Sequence, residues 1–129
     1  MTTKQSDEPY GWVVDRDPDG AVQSGVASLP DSHHEGFVCI NVEAAGFNYK
    51  DALACDGHPG VARTLPLVPG IDTAGTLRST CEAFAAGTPV VATGNGLGEK
   101  IQGGFATEVW VPPSAIIQRP ESLSATAAM

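Results

Sequence analysis

Hydrophobic and polar positions along the chain alternate in short bursts rather than in long stripes. The clearest burst is Phe37 to Ala45, where Val38, Ile40, Val42 and Ala44 interleave with Cys39, Asn41 and Glu43. A period of two predicts a strand with one buried face. Tyr10 to Val14 predicts a first strand, ended by the turn-rich Asp15-Arg16-Asp17-Pro18-Asp19-Gly20, and Ala21 to Leu29 returns as its hairpin partner. Pro30 to Gly36 reads as a polar loop. Ile71 to Leu77, after the turn Val68-Pro69-Gly70, is another strand candidate, as are Val90 to Ala92, Phe105 to Val111 and Ile116 to Gln118.

Helical signals are brief. Asn48 can cap a helix through Asp51, Ala52, Leu53 and Ala54 that closes near Gly57. Cys81 to Ala86 reads as one helical turn stopped by Gly87. Ser122 caps an apolar tail, Leu123 to Met129, which begins like a helix but is too short to be stable alone. Many short strands, frequent turns and one or two short helices predict a mainly β fold, a small, partly open β-barrel.

Composition sharpens this picture. At 129 residues there is room for one domain. The 15 glycines and 10 prolines show no collagen-like period and fit many turns between short strands. A net charge of −8 works against nucleic-acid binding and against anionic membrane surfaces. Only seven lysines and arginines could override that field locally. Cys39, Cys55 and Cys81 are far apart and form no C-x-x-C pair, so neither a disulfide framework nor a cysteine zinc site is indicated. Residues 1–9 read as a flexible polar leader without an apolar signal core, and no run of 18 apolar residues occurs. A cytoplasmic protein with reduced thiols is expected.

Three segments carry the candidate chemistry: Gly46-Phe47-Asn48-Tyr49-Lys50-Asp51-Ala52-Leu53-Ala54; Arg63 through Gly75, which contains Pro69-Gly70-Ile71-Asp72-Thr73-Ala74-Gly75; and Gly94-Asn95-Gly96-Leu97-Gly98-Glu99 followed by Gly103-Gly104-Phe105-Ala106. Their order and spacing resemble the N-terminal GroES-like domain of the medium-chain dehydrogenase/reductase superfamily. Within it, they are most similar to the acrylyl-CoA reductase or quinone oxidoreductase branch. The resemblance runs from about Val38 to Met129. It implies a GroES-like partly open β-barrel over residues 10–121, with residues 122–129 as the truncated start of a helix leading to an absent Rossmann domain.

Zinc-dependent relatives carry a cysteine where this chain has Asn48 and a histidine where it has Ile71. Neither replacement can ligate zinc, so the resemblance implies a zinc-free domain with no metal site. His33, His34 and Glu35 share one polar loop and His58 lies elsewhere, which fits solvated side chains. A metal-free reductase must polarise its acceptor with hydrogen-bond donors and protonate the product from a side chain or water. The resemblance places Tyr49 beside the nicotinamide of NADPH, with Asn48 and Asp51 shaping the same cleft wall. All three are candidate catalytic residues, and Tyr49 is also the cofactor contact. Beside these roles stand plainer ones: Asn48 as a helix cap, Tyr49 as a half-buried packing residue, Asp51 ordering a turn.

Arg63 and Asn95 are the candidate substrate-binding residues. Arg63 could meet a phosphate of a CoA thioester or cofactor, or could pair with Asp56 or Glu99. Relatives usually carry a tryptophan at Asn95, so asparagine makes that wall smaller and more polar. Asp72 is expected to anchor the floor of the site by accepting backbone N–H bonds. The segment Gly94 to Glu99 is not expected to cradle phosphate, because a strand rather than a helix follows it.

The implied function is the substrate-side half of an NADPH-dependent oxidoreductase acting on an enone, an enoyl-CoA such as acrylyl-CoA, or a quinone. No strand–glycine-loop–helix fingerprint is present, so this polypeptide alone is expected to bind NADPH weakly and to lack reductase activity. A homodimer, or a partner carrying the Rossmann domain, could complete the site. The alternative is a stand-alone GroES-like binding module; a co-chaperonin would need a mobile apolar loop, and none stands out.

Overall fold

The computed structural model describes residues 8–129. Most of the leader, residues 1–7, lies outside them. Seven strands follow in order: β1 (Tyr10–Arg16), β2 (Val22–Ser28), β3 (Val38–Ala45), β4 (Asp72–Leu77), β5 (Pro89–Thr93), β6 (Glu108–Val111) and β7 (Ile116–Gln118). Two short α-helices, α1 (Tyr49–Cys55) and α2 (Ala125–Ala128), and a 3-10 turn at Pro113–Ala115 complete the set. The mainly β expectation holds. The strands form two open sheets rather than a closed barrel: the β1–β2 hairpin, and a five-stranded sheet in the order β6-β3-β4-β5-β7, antiparallel throughout.

Alternation explains β3. Ile40 is fully buried while Asn41, Glu43 and Ala45 face solvent. Ile40 joins Leu77, Val90, Val109 and Val111 from three other strands in the main core. A smaller cluster of Ala54, Val61, Ala62 and Leu67 lies beneath α1. The hairpin docks through β1, whose Val14 exchanges two 2.8 Å backbone bonds with Leu67 while Trp12 N–H donates to the Phe105 carbonyl at 2.8 Å.

Three expected boundaries move. Cys81 to Ala86 is not a helical turn: the Ala86 N–H goes to Thr80 Oγ1 at 3.0 Å and the Gly87 N–H to the Leu77 carbonyl at 2.8 Å. These donors close a loop between β4 and β5, so no i to i−4 ladder starts. The strand expected from Phe105 begins at Glu108, because Phe105 spends its N–H on the Pro69 carbonyl at 3.0 Å. The last helix is capped by Ser124, not Ser122; its side chain accepts the Ala127 N–H. That helix packs on β3 and β4 with Ala125 buried.

The glycines of the 94–104 loop have a packing reason. Gly103 N–H donates to the Val68 carbonyl at 2.7 Å and Gly104 N–H to the Gly70 carbonyl at 2.9 Å. A Cβ at Gly98 or Gly103 would overlap the backbone of Pro69-Gly70. Two stretches of main chain thus run in contact, which only glycine permits.

Under the sheet's outer edge, the buried Cys39 thiol donates to Glu108 Oε2 at 3.0 Å, and Arg78 Nη1 bonds the same oxygen at 2.6 Å. Burial pushes the thiol pKa from 9.0 up to about 12, helped by the Glu108 acceptor and its charge and opposed by Arg78.

Two outcomes are expected. Gly75 faces the irregularity between Val42 and Ala44, and its Cβ would collide with the Asn41 carbonyl oxygen. Gly75→Ala is expected to destabilise by about 2 kcal/mol or more, read from the urea midpoint. The native Cys39 thiol keeps its proton above the unfolded value, so its stabilising contribution is complete below pH 9 and fades as pH rises towards about 12. Alkaline unfolding curves should therefore fall less steeply with pH for Cys39→Ala than for the parent chain.

Candidate active site

Helix α1 starts where the β3 chain turns out of the sheet. Asn48 is its N-cap, and Tyr49, Lys50 and Asp51 are its first turn. Asp51 is fully buried. Its Oδ2 accepts the Asn48 backbone N–H at 2.8 Å, the reciprocal half of a capping box, and its Oδ1 accepts the Ile71 N–H at 3.0 Å. The same carboxylate therefore holds the start of α1 and the entry to β4.

From that anchor a polar rim extends. Asn48 Nδ2 donates to Asp72 Oδ2 at 2.7 Å and, at 3.4 Å, to Asp51 Oδ2. Thr93 donates its hydroxyl to Asp72 Oδ1, and Asn95 Nδ2 donates to the Thr93 carbonyl at 3.0 Å. Asn95 holds φ 56, a left-handed conformation that asparagine tolerates. The amide that Asn48 offered to a substrate carbonyl is thus directed at two carboxylates. Asp72 accepts side-chain donors, and the backbone-anchoring task expected of it falls to Asp51.

Tyr49 is 80% exposed at the head of α1, not half-buried. Lys50 forms an ion pair with Glu99, tying α1 to the glycine-rich loop. Beside the rim lies an apolar groove lined by Trp12, Phe47, Cys55 and Phe105, in which Phe47 and Phe105 stack at 5.7 Å and 6°. Cys55 at its edge is held above its ordinary thiol pKa by burial and by the negative charges of Asp51 and Asp56.

Asn48, Tyr49, Asp51 and Asn95 therefore come together, while Arg63 stands apart. Its backbone N–H meets the Glu99 carbonyl at 3.1 Å, and its Nε reaches the Gly60 carbonyl at 3.4 Å. It pairs with neither Asp56 nor Glu99. Sequence reasoning missed Trp12, Thr93 and the Phe47–Phe105 stack. Thr93 is the register partner of Asp72 across β4 and β5, which only strand pairing reveals. Among the described residues, no group of three or more His, Cys, Asp or Glu side chains could hold a metal ion, and no helix is long and apolar enough to cross a membrane.

The alcohol dehydrogenase GroES-like domain model matches residues 34–121. The chain belongs to that family, within the medium-chain dehydrogenase/reductase superfamily. Probable acrylyl-CoA reductase AcuI of Escherichia coli (strain K12) is 40% identical over 113 residues, covering 86% of this chain and 35% of the relative. Putative quinone oxidoreductase YhfP of Bacillus subtilis (strain 168) is 38% identical over 112 residues, covering 86% and 34%. The chain thus spans about a third of the length of the curated relatives it matches. The crystal structure of E. coli K-12 YhdH with bound NADPH superposes with a TM-score of 0.83 at 37% identity, over 92% of this chain and 37% of that one. Bacillus subtilis yhfP with NAD bound gives 0.85 at 32% identity, over 96% and 38%.

The anchor yields a stability outcome. Asp51→Asn leaves one acceptor oxygen for two backbone donors and sets an NH2 group against an N–H. It is expected to cost about 2–4 kcal/mol in urea unfolding, since an unsatisfied buried donor costs about 1–3 kcal/mol and charged acceptors count for more.

Proposed function

We propose that this chain forms the substrate-side wall of an NADPH-dependent oxidoreductase that reduces an activated C=C bond, as in an acrylyl-CoA-like enoyl thioester, or a quinone. The observation that carries the reading is the exposed Tyr49 phenol in the first turn of α1, a helix whose Asn48 cap belongs to the polar rim and whose Cys55 end borders the aromatic groove. The acrylyl-CoA reductase and quinone oxidoreductase relatives, and the NADPH-bound neighbour, support it.

These residues fit the nicotinamide end of the cofactor. Tyr49 offers a flat accessible ring, and the stacked Phe47–Phe105 pair offers an apolar wall. They do not fit its pyrophosphate: Gly98 and Gly103 of the 94–104 loop pack on the Pro69-Gly70 backbone, and the loop leads to a strand rather than a helix N-terminus. When bound, NADPH supplies the hydride. Tyr49 stacks beside the nicotinamide or donates a proton to the reduced product. Asn48 and Asp51 are positioning residues that fix the first turn from which Tyr49 projects. Asn95 and the groove hold the acceptor. Zinc has no place in this scheme, since the Asn48 amide is engaged with carboxylates and Ile71 carries no donor.

A nucleotide-binding surface must complete the cleft, from a Rossmann domain in the same protein, a partner chain or a second copy. One wall alone cannot position hydride donor and acceptor, and positioning supplies much of the rate. The setting is the cytoplasm, where the free cysteines stay reduced.

Steady-state NADPH oxidation tests the reading with acrylyl-CoA and with a benzoquinone. Residues 1–129 fused to the nucleotide-binding part of the E. coli relative are expected to turn over one acceptor, while the 129-residue chain alone stays at background. Tyr49→Phe in the fusion should lower kcat by about a hundredfold with an unchanged thermal midpoint, in line with loss of a general acid. Turnover by the chain alone would refute the incomplete-cleft argument. A fusion that folds and binds NADPH yet reduces neither acceptor would refute the oxidoreductase reading in favour of a binding module.

A further inference from the structure

The cations of this acidic chain are unevenly placed. Lys50 pairs with Glu99 and Arg78 with Glu108. Arg119 is buried, donating to the Leu123 carbonyl at 2.6 Å and the Gly75 carbonyl at 3.2 Å. Arg16, Arg63 and Lys100 are exposed and form no ion pair among the described residues, but only Arg16 and Arg63 share a depression, of about 510 Å³ and floored by Gly57, Gly60 and Leu65. That volume suits a nucleotide-sized group.

The two guanidiniums are held in place by carbonyls rather than carboxylates. Arg16 Nη1 donates to Gly20 at 2.8 Å and its Nη2 to Gly57 at 3.0 Å, while Arg63 Nε donates to Gly60 at 3.4 Å. Each keeps unspent N–H donors and its full charge. Of the nearby carboxylates, Asp15 accepts the Arg16 backbone N–H at 2.8 Å and Asp17 is folded into its own turn by the N–H groups of Asp19 and Ala21. Asp56 is exposed beside Gly57 and pairs with neither arginine. Two fixed guanidiniums with free donors suit a phosphate, because such bonds are charge-assisted and can be bidentate.

The depression also adjoins the candidate active site. Trp12 and Arg16 lie four residues apart on β1, hence on the same face and about 13 Å apart at 3.3 Å per residue. Cys55 borders the aromatic groove and Gly57 borders the arginine depression, at the same end of α1. The apolar groove and the cationic depression therefore lie side by side at the C-terminal end of α1.

We infer that Arg16 and Arg63 form a phosphate-binding subsite for the nucleotide end of a coenzyme A thioester, whose pantetheine arm lies along the Trp12–Phe47–Phe105 groove. The choice of coenzyme A over another phosphorylated ligand rests on the oxidoreductase reading above. It favours an enoyl thioester over a quinone as acceptor, since a quinone carries no phosphate for the arginines to bind.

Calorimetric titration of the 129-residue chain tests this with coenzyme A, pantetheine and NADPH as separate probes. Coenzyme A is expected to bind more tightly than pantetheine and to weaken with added salt. Arg63→Ala and Arg16→Ala should each weaken it by about tenfold, the scale of one charge-assisted contact, with Arg63→Lys retaining part of the affinity. Arg63 is exposed and off the core, so its variant keeps the fold, which a thermal scan verifies. No coenzyme A binding, pantetheine binding as tightly as coenzyme A, or an unchanged affinity in Arg63→Ala would overturn the subsite. NADPH binding more tightly than coenzyme A through the same arginines would assign the phosphate to the cofactor and overturn the thioester. The two readings separate cleanly. Acrylyl-CoA turnover by the fusion with an unchanged KM in Arg63→Ala leaves the oxidoreductase and removes the subsite. Arginine-dependent coenzyme A binding without turnover does the reverse.

Discussion

The Asp51 carboxylate has no contact with solvent, yet it accepts backbone N–H bonds from Asn48 and Ile71, residues 23 positions apart in the chain. A charged group taken out of water must be satisfied by donors that cannot move away, and here the donors are main chain on two different elements. The carboxylate thereby fixes the first turn of α1 against the entry to β4. Tyr49 projects from that turn, and Asn48 and Asp72 meet across the same junction at 2.7 Å. The polar rim and the accessible phenol share this one anchor.

A second constraint is the close approach of two backbones. Residues 102–105 run along Pro66 to Gly70, with Gln102 Oε1 accepting the Val68 N–H at 2.6 Å and Gln102 Nε2 donating to the Pro66 carbonyl at 3.0 Å. Glycines at 98 and 103, where a Cβ would overlap the Pro69-Gly70 backbone, allow this contact. It delivers Phe105 to the groove, where it stacks on Phe47. A run of glycines that resembles a nucleotide loop on paper is, in space, the packing seam that builds an apolar wall.

Burial and charge divide the rest. Burial, together with nearby carboxylate charge, pushes both Cys39 and Cys55 towards the neutral thiol. Low thiolate character makes them poor nucleophiles, a useful property for Cys55, which borders a groove read as receiving conjugated, electrophilic acceptors. The net charge of −8 repels anions globally, so an anionic ligand depends on local cations held free of carboxylate partners. Arg16 and Arg63 are such a pair.

The period-two pattern of Val38 to Ala45, the turn residues after Val14 and the motif around Asn48 marked most of the strands, α1 and its acidic first turn directly in the sequence. These are local features: alternation, capping and turn chemistry act over a few residues and leave their mark there. The residues 81–86 misled because an apolar, alanine-rich stretch favours helix locally, while Thr80 and the Leu77 carbonyl capture its donors through the fold. The roles of Trp12 and Thr93, the Phe47–Phe105 stack and the shared depression of Arg16 and Arg63 were likewise invisible. They meet through strand register and loop packing across tens of residues, and no local pattern encodes which distant side chain completes a hydrogen bond, a stack or a cationic pocket.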